Sequence, residues 1–190
     1  MSPAQARRRP TTSLQMLLAA CALGWAALAL ADDAASVQQL IGAGHWSQAL
    51  TRLDALATAN PGDPRWGFYR GLALSATGQN AAAIDAYTRL TQRYPELPEP
   101  YNNLGVLQAQ SGQLEAARQS LNQALQANPD FGLARENLGD VEVQLALADY
   151  RGALQLPGHS PALAAKLKQL QADAPKPSPA PVLRSTPNLP

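Results

Sequence analysis

The chain has 190 residues, a formal net charge of +1 at pH 7, and 46% hydrophobic but only 5% aromatic residues. Alanine and leucine supply much of the apolar content, which favours closely packed helices over a strand-rich fold. Three of the 15 basic residues lie at 7–9, so the rest of the chain has 12 basic and 14 acidic residues and no electrostatic basis for binding nucleic acid.

The N-terminal segment 1–31 has the three parts of an export signal. Basic residues at Arg7–Arg9 precede an apolar run, Leu14–Leu30, and the triplet Ala29-Leu30-Ala31 comes directly before Asp32. A positive segment, an apolar core and a small-residue cleavage site in this order are typical of a secretory signal peptide. We therefore expect that residues 1–31 are removed and that the mature protein is periplasmic or secreted.

Two other fates of the leader stay open. Leu18-Ala19-Ala20-Cys21 resembles the lipobox of bacterial lipoproteins, in which the cysteine is lipidated and anchors the protein to a membrane. The apolar run continues past Cys21, however, and this length favours cleavage after Ala31. An uncleaved anchor is the third interpretation, because Leu14–Leu30 is at the short limit for crossing a bilayer.

Downstream of the leader, one pattern recurs with a shift of 34 positions, as from Gly71 to Gly105. In residues 96–129 it consists of small residues, a large apolar residue and a closing proline, at Gly105, Gly112, Ala117, Leu121, Ala124 and Pro129. The same offsets carry Gly71, Gly78, Ala83, Tyr87, Leu90 and Pro95 in residues 62–95. The second half of the pattern occurs once more in residues 32–61. A fixed period of this length predicts stacked copies of one unit, here a pair of antiparallel helices.

Residues 130–173 are predicted to contain a partial fourth repeat and a capping helix, and the repeat departs from this pattern. It begins with Asn137-Leu138-Gly139, but residues 141–148 contain no glycine or proline where the turn is expected. We therefore predict one long helix that ends at Pro157-Gly158, rather than a complete fourth pair of helices.

The end of the chain is expected to contain a capping helix and a tail. Ser160 as N-cap and Pro161 at the first helical position predict a short helix that ends at Asp173 and covers the open end of the stack. Residues 174–190 contain six prolines and few large apolar residues, which predicts a disordered, extended tail. A proline-rich ligand motif is the alternative for this segment.

The repeats resemble those of the tetratricopeptide-repeat family. Its consensus has Leu-Gly in the first helix, a second glycine at the turn, alanines in the second helix and a closing proline. The third unit matches it at Tyr101, Leu104, Gly105, Gly112, Ala117, Leu121, Ala124 and Pro129. The resemblance covers residues 34–150 and implies an all-α, right-handed superhelical solenoid of antiparallel helix pairs, here with a long fused helix and a C-terminal capping helix.

The first helices of successive repeats line a concave groove in this family. By that register the resemblance implies groove positions at Arg65, Phe68, Tyr69 and Leu72, at Glu99, Asn102, Asn103 and Val106, and at Glu136, Asn137 and Asp140. Asn103 and Asn137 occupy equivalent positions in successive repeats, so we expect their amides to stack and to hydrogen-bond an extended peptide. The alternative is a solvated polar face without a ligand.

Nothing in the repeat region points to catalysis. The chain has one cysteine, two histidines, no cluster with metal-ligand spacing and no glycine-rich phosphate loop. We therefore expect a non-enzymatic adaptor or scaffold with a protein or peptide partner and with no cofactor, metal or small-molecule substrate. The alternative function is that of a membrane-anchored lipoprotein, attached through Cys21, that assists the assembly of pili or outer-membrane complexes.

Overall fold

The computed structural model describes residues 33–174. The predicted signal peptide with Cys21, and almost all of the predicted tail, lie outside these residues. Within 33–174, no helix combines the length and the apolar character needed to cross a bilayer.

Every regular element in the described range is a helix. Helix α1 covers 33–42. The others are α2 (Trp46–Ala59), α3 (Pro64–Ala76), α4 (Asn80–Arg93), α5 (Pro98–Gln110), α6 (Leu114–Ala127), α7 (Gly132–Ala153) and α8 (Leu163–Asp173). Each of the helices α2 to α7 packs against the next one along the chain. The all-α solenoid is thus confirmed.

The period of the sequence pattern is also the period of the helices. The second helices α2, α4 and α6 begin at 46, 80 and 114, and they end at 59, 93 and 127. Two residues before each of them, Gly44, Gly78 and Gly112 have φ values of 73°, 76° and 75°. A left-handed residue at this point lets the next N–H groups bond back to the preceding helix, as Gln113 N–H does to the Gln108 carbonyl at 2.9 Å.

The long helix α7 begins where the next period requires and then omits the turn. The residue 34 positions after Gly112 is Ala146, for which a left-handed conformation would cost about 1–2 kcal/mol. The helix therefore continues through this position to Ala153. One uninterrupted helix was predicted, but it ends four residues before Pro157-Gly158, in a series of turns.

The helix starts confirm one predicted cap and correct another. Asp63 precedes Pro64, and its side chain accepts a hydrogen bond from the Arg65 N–H at 2.9 Å. For α8 the predicted start was wrong by two residues, since this helix begins at Leu163 rather than at Pro161. Ser160 Oγ instead accepts the N–H of Ala162 at 3.2 Å, which closes a turn before the helix.

The apolar core consists of two clusters on either side of α5. The first contains buried residues from α1 to α5, including Val37, Leu53, Tyr87 and Leu107. The second is formed mainly by α6 and α7, with Leu121 and Val141 among its buried members. Helix α5 contributes side chains to both clusters, so it is the shared wall of the stack.

Glycines in the first helices let the second helices approach closely. A Cβ atom added at Gly71 would lie 2.6 Å from the Tyr87 ring, and one at Gly105 would lie 2.7 Å from Leu121 Cγ. Both distances are shorter than van der Waals contact. The equivalent residue in α7, Gly139, has nothing within 4 Å because no second helix follows it.

These equivalent glycines provide a matched pair for mutation. We expect Gly105→Ala to lower the free energy of unfolding by about 1–3 kcal/mol, because the added methyl group overlaps Leu121. Gly139→Ala should raise it by about 0.5–1 kcal/mol, because alanine restricts the unfolded chain and fits the open helix. Urea unfolding followed by circular dichroism at 222 nm measures both. Effects of the same sign would contradict the packing described here.

Candidate functional site

The best-formed cavity on the first helices lies between α5 and α7. It has a volume of about 310 Å³ and is lined by Val106, Ala109, Gln110, Gly112, Leu121, Asn137, Asp140, Val141 and Gln144. We call it the inner cavity. Its volume is at the lower end of the ~300–1,000 Å³ range of ligand pockets, which suits a few side chains rather than a large cofactor.

Three of the predicted groove residues line this cavity, namely Val106, Asn137 and Asp140. The sequence reasoning missed Ala109 and Gln144, which lie one helical turn beyond Val106 and Asp140. That spacing was the available signal, because residues three and four apart lie on the same face of a helix.

Four buried side chains form a hydrogen-bonded chain beneath the cavity. Asn137 Nδ2 donates to Asn102 Oδ1 at 2.8 Å, and Asn102 Nδ2 donates to Asn103 Oδ1 at 3.3 Å. Asn103 Nδ2 then donates to the Tyr87 hydroxyl oxygen at 3.1 Å. The three asparagines are 5%, 2% and 1% exposed, in the order 137, 102, 103, and Tyr87 is fully buried. We call these residues the amide chain.

The amide chain corrects the predicted pairing of Asn103 with Asn137. Asn137 bonds to Asn102 instead, and Asn103 turns towards Tyr87. Buried amides satisfied in this way fix the relative positions of the helices that carry them. Burial raises the pKa of the Tyr87 hydroxyl, and the hydrogen bond from Asn103 offsets part of that rise.

The predicted groove residues of the second repeat are engaged within the fold. Phe68 and Leu72 are 2% and 3% exposed and belong to the first apolar cluster. The Tyr69 hydroxyl accepts a hydrogen bond from Gln38 Nε2 at 2.5 Å, and burial raises its pKa. Arg65 forms an ion pair with Asp63 at 2.6 Å, and its hydrogen bond to Asp63 is the main cause that raises its pKa.

The predicted acidic residues remain available. Glu99 and Asp140 are partly exposed and Glu136 is exposed. The ion pairs among the described residues involve other carboxylates. Burial, and secondly the charge of Glu136, raise the pKa of Asp140. A cation beside Asp140 would stabilise its ionised carboxylate and so offset both causes of the raised pKa. This wall of the inner cavity therefore suits a basic group.

A second cavity, of about 520 Å³, lies along α3 and α4 and is lined in part by Arg70, Asp85 and Arg89. We call it the outer cavity. Arg70 pairs with Asp54, and Arg89 pairs with Asp85 at 2.6 Å, while the guanidinium of Arg93, which also lines this cavity, lies over the Tyr94 ring at 5.6 Å. The lining of the inner cavity has one carboxylate, Asp140, which forms no ion pair among the described residues. The inner cavity is therefore the better candidate for recognition of a basic group, although it is smaller. Within 33–174, no three His, Cys, Asp or Glu side chains converge as a metal site.

Comparison with known families agrees with this architecture. Two sequence models described as tetratricopeptide repeat match residues 28–98 and 74–136, which together take in α1 to α6 and the start of α7. The chain belongs to the tetratricopeptide-repeat family.

Solved structures of this fold are similar over most of the described region. The type III secretion chaperone SycD of Yersinia enterocolitica, in complex with a peptide of the translocator YopD, has a TM-score of 0.57 at 18% identity, covering 61% of this chain and 94% of that one. The Sgt2 TPR domain from Aspergillus fumigatus has a TM-score of 0.60 at 18% identity, with coverages of 68% and 85%. Pseudomonas aeruginosa pilF has a TM-score of 0.57 at 19% identity, with coverages of 75% and 67%. At these identities the similarity shows the fold alone.

The contribution of the amide chain to stability can be measured. Asn102→Ala should lower the free energy of unfolding by about 2–3 kcal/mol, because it leaves the buried Asn137 amide and the Asn103 carbonyl without their partners. Asn122→Ala is the control, since Asn122 is exposed and donates only to the Arg118 carbonyl at 3.0 Å. This control should change stability by less than about 0.5 kcal/mol. Equal losses in both variants would show that the buried bonds contribute nothing beyond those at the surface.

Proposed function

We propose that this protein is a non-enzymatic adaptor of the bacterial envelope that binds a segment of a partner protein in the inner cavity. The observation that carries the proposal is the composition of this cavity. Apolar Val106 and Val141 share it with the Asn137 amide and the Asp140 carboxylate. Such a mixture suits an extended peptide, which offers apolar side chains and backbone donors together.

The comparisons support the general part of the proposal. Tetratricopeptide repeats are protein-interaction modules, and the similar SycD structure contains a peptide of its translocator. The nature of the partner and the location of this chain are inferred from its own residues. For the location, the support is the basic, apolar and small-residue order of the leader.

Site-specific photo-crosslinking in the source cells tests the cavity. A photoreactive residue at Gln144, in the inner cavity, should give adducts of higher mass with a partner, whereas one at Arg89, in the outer cavity, should not. Ala109→Phe should reduce the Gln144 adducts at least fivefold, because the larger ring fills the space between α5 and α7.

The control for Ala109→Phe is Ala127→Phe, at an exposed position at the end of α6. It should leave the adducts unchanged. Partner adducts that form equally from Arg89, or that persist in a folded Ala109→Phe variant, would place the partner elsewhere.

A membrane-anchored assembly lipoprotein is the second candidate, favoured by the sequence Leu18-Ala19-Ala20-Cys21. Mass spectrometry of the mature N-terminus distinguishes this lipoprotein from an adaptor whose leader is cleaved after Ala31. We expect a free N-terminus at Asp32, and Cys21→Ser should then leave the distribution between membrane and soluble fractions unchanged. An acylated Cys21, with loss of membrane fractionation in Cys21→Ser, would establish the tethered form instead.

A further inference from the structure

We propose that the chain's own C-terminal segment Val182-Leu183-Arg184 binds in the inner cavity and occupies it until a partner displaces it. The displacement rests on the proposed function, whereas the binding of the segment does not. Charge, apolar fit, hydrogen bonding and reach each support the binding.

The wall of the inner cavity and the C-terminal segment 174–190 carry opposite charges. Asp140 lies in the cavity wall and Glu136 lies one helical turn before it, and both lack an ion pair among the described residues. Residues 174–190 contain two basic residues, Lys176 and Arg184, and no aspartate or glutamate. A guanidinium group beside Asp140 would offset the carboxylate repulsion and the partial burial of that site.

The apolar residues of the tail also fit the cavity. Val182 and Leu183 are the only adjacent pair of large apolar residues in 174–190, and Arg184 follows them directly. The cavity offers the complementary combination, since Val106, Val141 and Asp140 all line it. Binding would remove these two aliphatic side chains from water, which stabilises the contact.

The Asn137 amide supplies a hydrogen-bond acceptor. It is 5% exposed, lines the cavity, and donates its Nδ2–H to Asn102. No hydrogen bond among the described residues uses its Oδ1, which leaves this oxygen for a donor in the cavity. Proline-rich sequence such as 174–181 favours an extended backbone without internal hydrogen bonds, and backbone N–H groups in such a segment suit this acceptor.

The tail starts from a helix that packs on one wall of the cavity. Helix α8 ends at Asp173 and packs on α7, which also carries the far wall of the cavity. The segment 174–182 spans about 25 Å when extended, more than twice the ~10 Å diameter of a helix. A short tether gives an effective concentration in the millimolar range, so even a weakly binding segment would be bound largely in cis.

Photo-crosslinking within the full chain tests this inference. A photoreactive residue in place of Ser185, next to Arg184, should form adducts with peptides that contain 106–110 or 137–144. Asp140→Asn and Arg184→Glu should each reduce these adducts at least fivefold, whereas Glu142→Gln should not. Glu142 is the matched control because it is exposed, lies on the same helix and does not line the cavity.

A charge reversal provides a positive test that misfolding cannot imitate. Asp140→Lys alone should lose the adducts as Arg184→Glu does, and the double variant Asp140→Lys with Arg184→Glu should restore them. Adducts on other helices, or equal yields in Asp140→Asn and Glu142→Gln, would overturn the inference. So would yields that rise in proportion to protein concentration, because they would show binding to a second copy.

The test can be separated from that of the adaptor function. If the tail adducts form but a photoreactive residue at Gln144 captures no partner, only the proposed function fails. If partner adducts form but tail adducts do not, only the binding of the tail fails. If both hold, Arg184→Glu should increase the partner adducts at Gln144 at least twofold.

Discussion

The left-handed glycine between the two helices of each repeat is the constraint on which the rest of the structure depends. At Gly44, Gly78 and Gly112 it reverses the chain within a few residues, and the second helix can then pack against the first. Where the period next requires such a turn, the chain has Ala146 and the helix continues. Helix α7 is thus the first helix of a repeat that has no second helix. The stack stops there, and α8 covers part of the open end.

Helix α5 connects the two halves of the interior. Its apolar side chains contribute to both clusters, and its Asn102 and Asn103 join the tyrosine of α4 to the asparagine of α7. A polar seam between two apolar clusters restricts how the helices can slide against each other, because a shift would leave buried amides without partners. The inner cavity shares Asn137 with this seam.

Much of the fold follows from the repeat period, because glycines, alanines and prolines act through local backbone geometry and close packing. The start of α8 does not follow from the period. The Ser160 side chain closes a turn before the helix instead of capping a helix that begins at Pro161. The choice of Asn102 over Asn103 as the partner of Asn137 also escapes a periodic argument, because it depends on how two helices are rotated about their axes. The candidate site was predictable as a face of α5 and α7 but not as a cavity, since Leu121 of α6 also lines it and the register of the first helices alone does not include that residue.

The division of the interior into two apolar clusters has a consequence for how the molecule opens. In a linear stack each repeat is held mainly by its neighbours, so stability is a sum of local terms rather than a single property. Helix α8 has only one buried side chain, Leu163, and α7 has no complete partner on one side. Amide protons should therefore exchange with solvent fastest at this end and slowest around α3 to α5, so that the protein behaves as a rigid half joined to a half that frays.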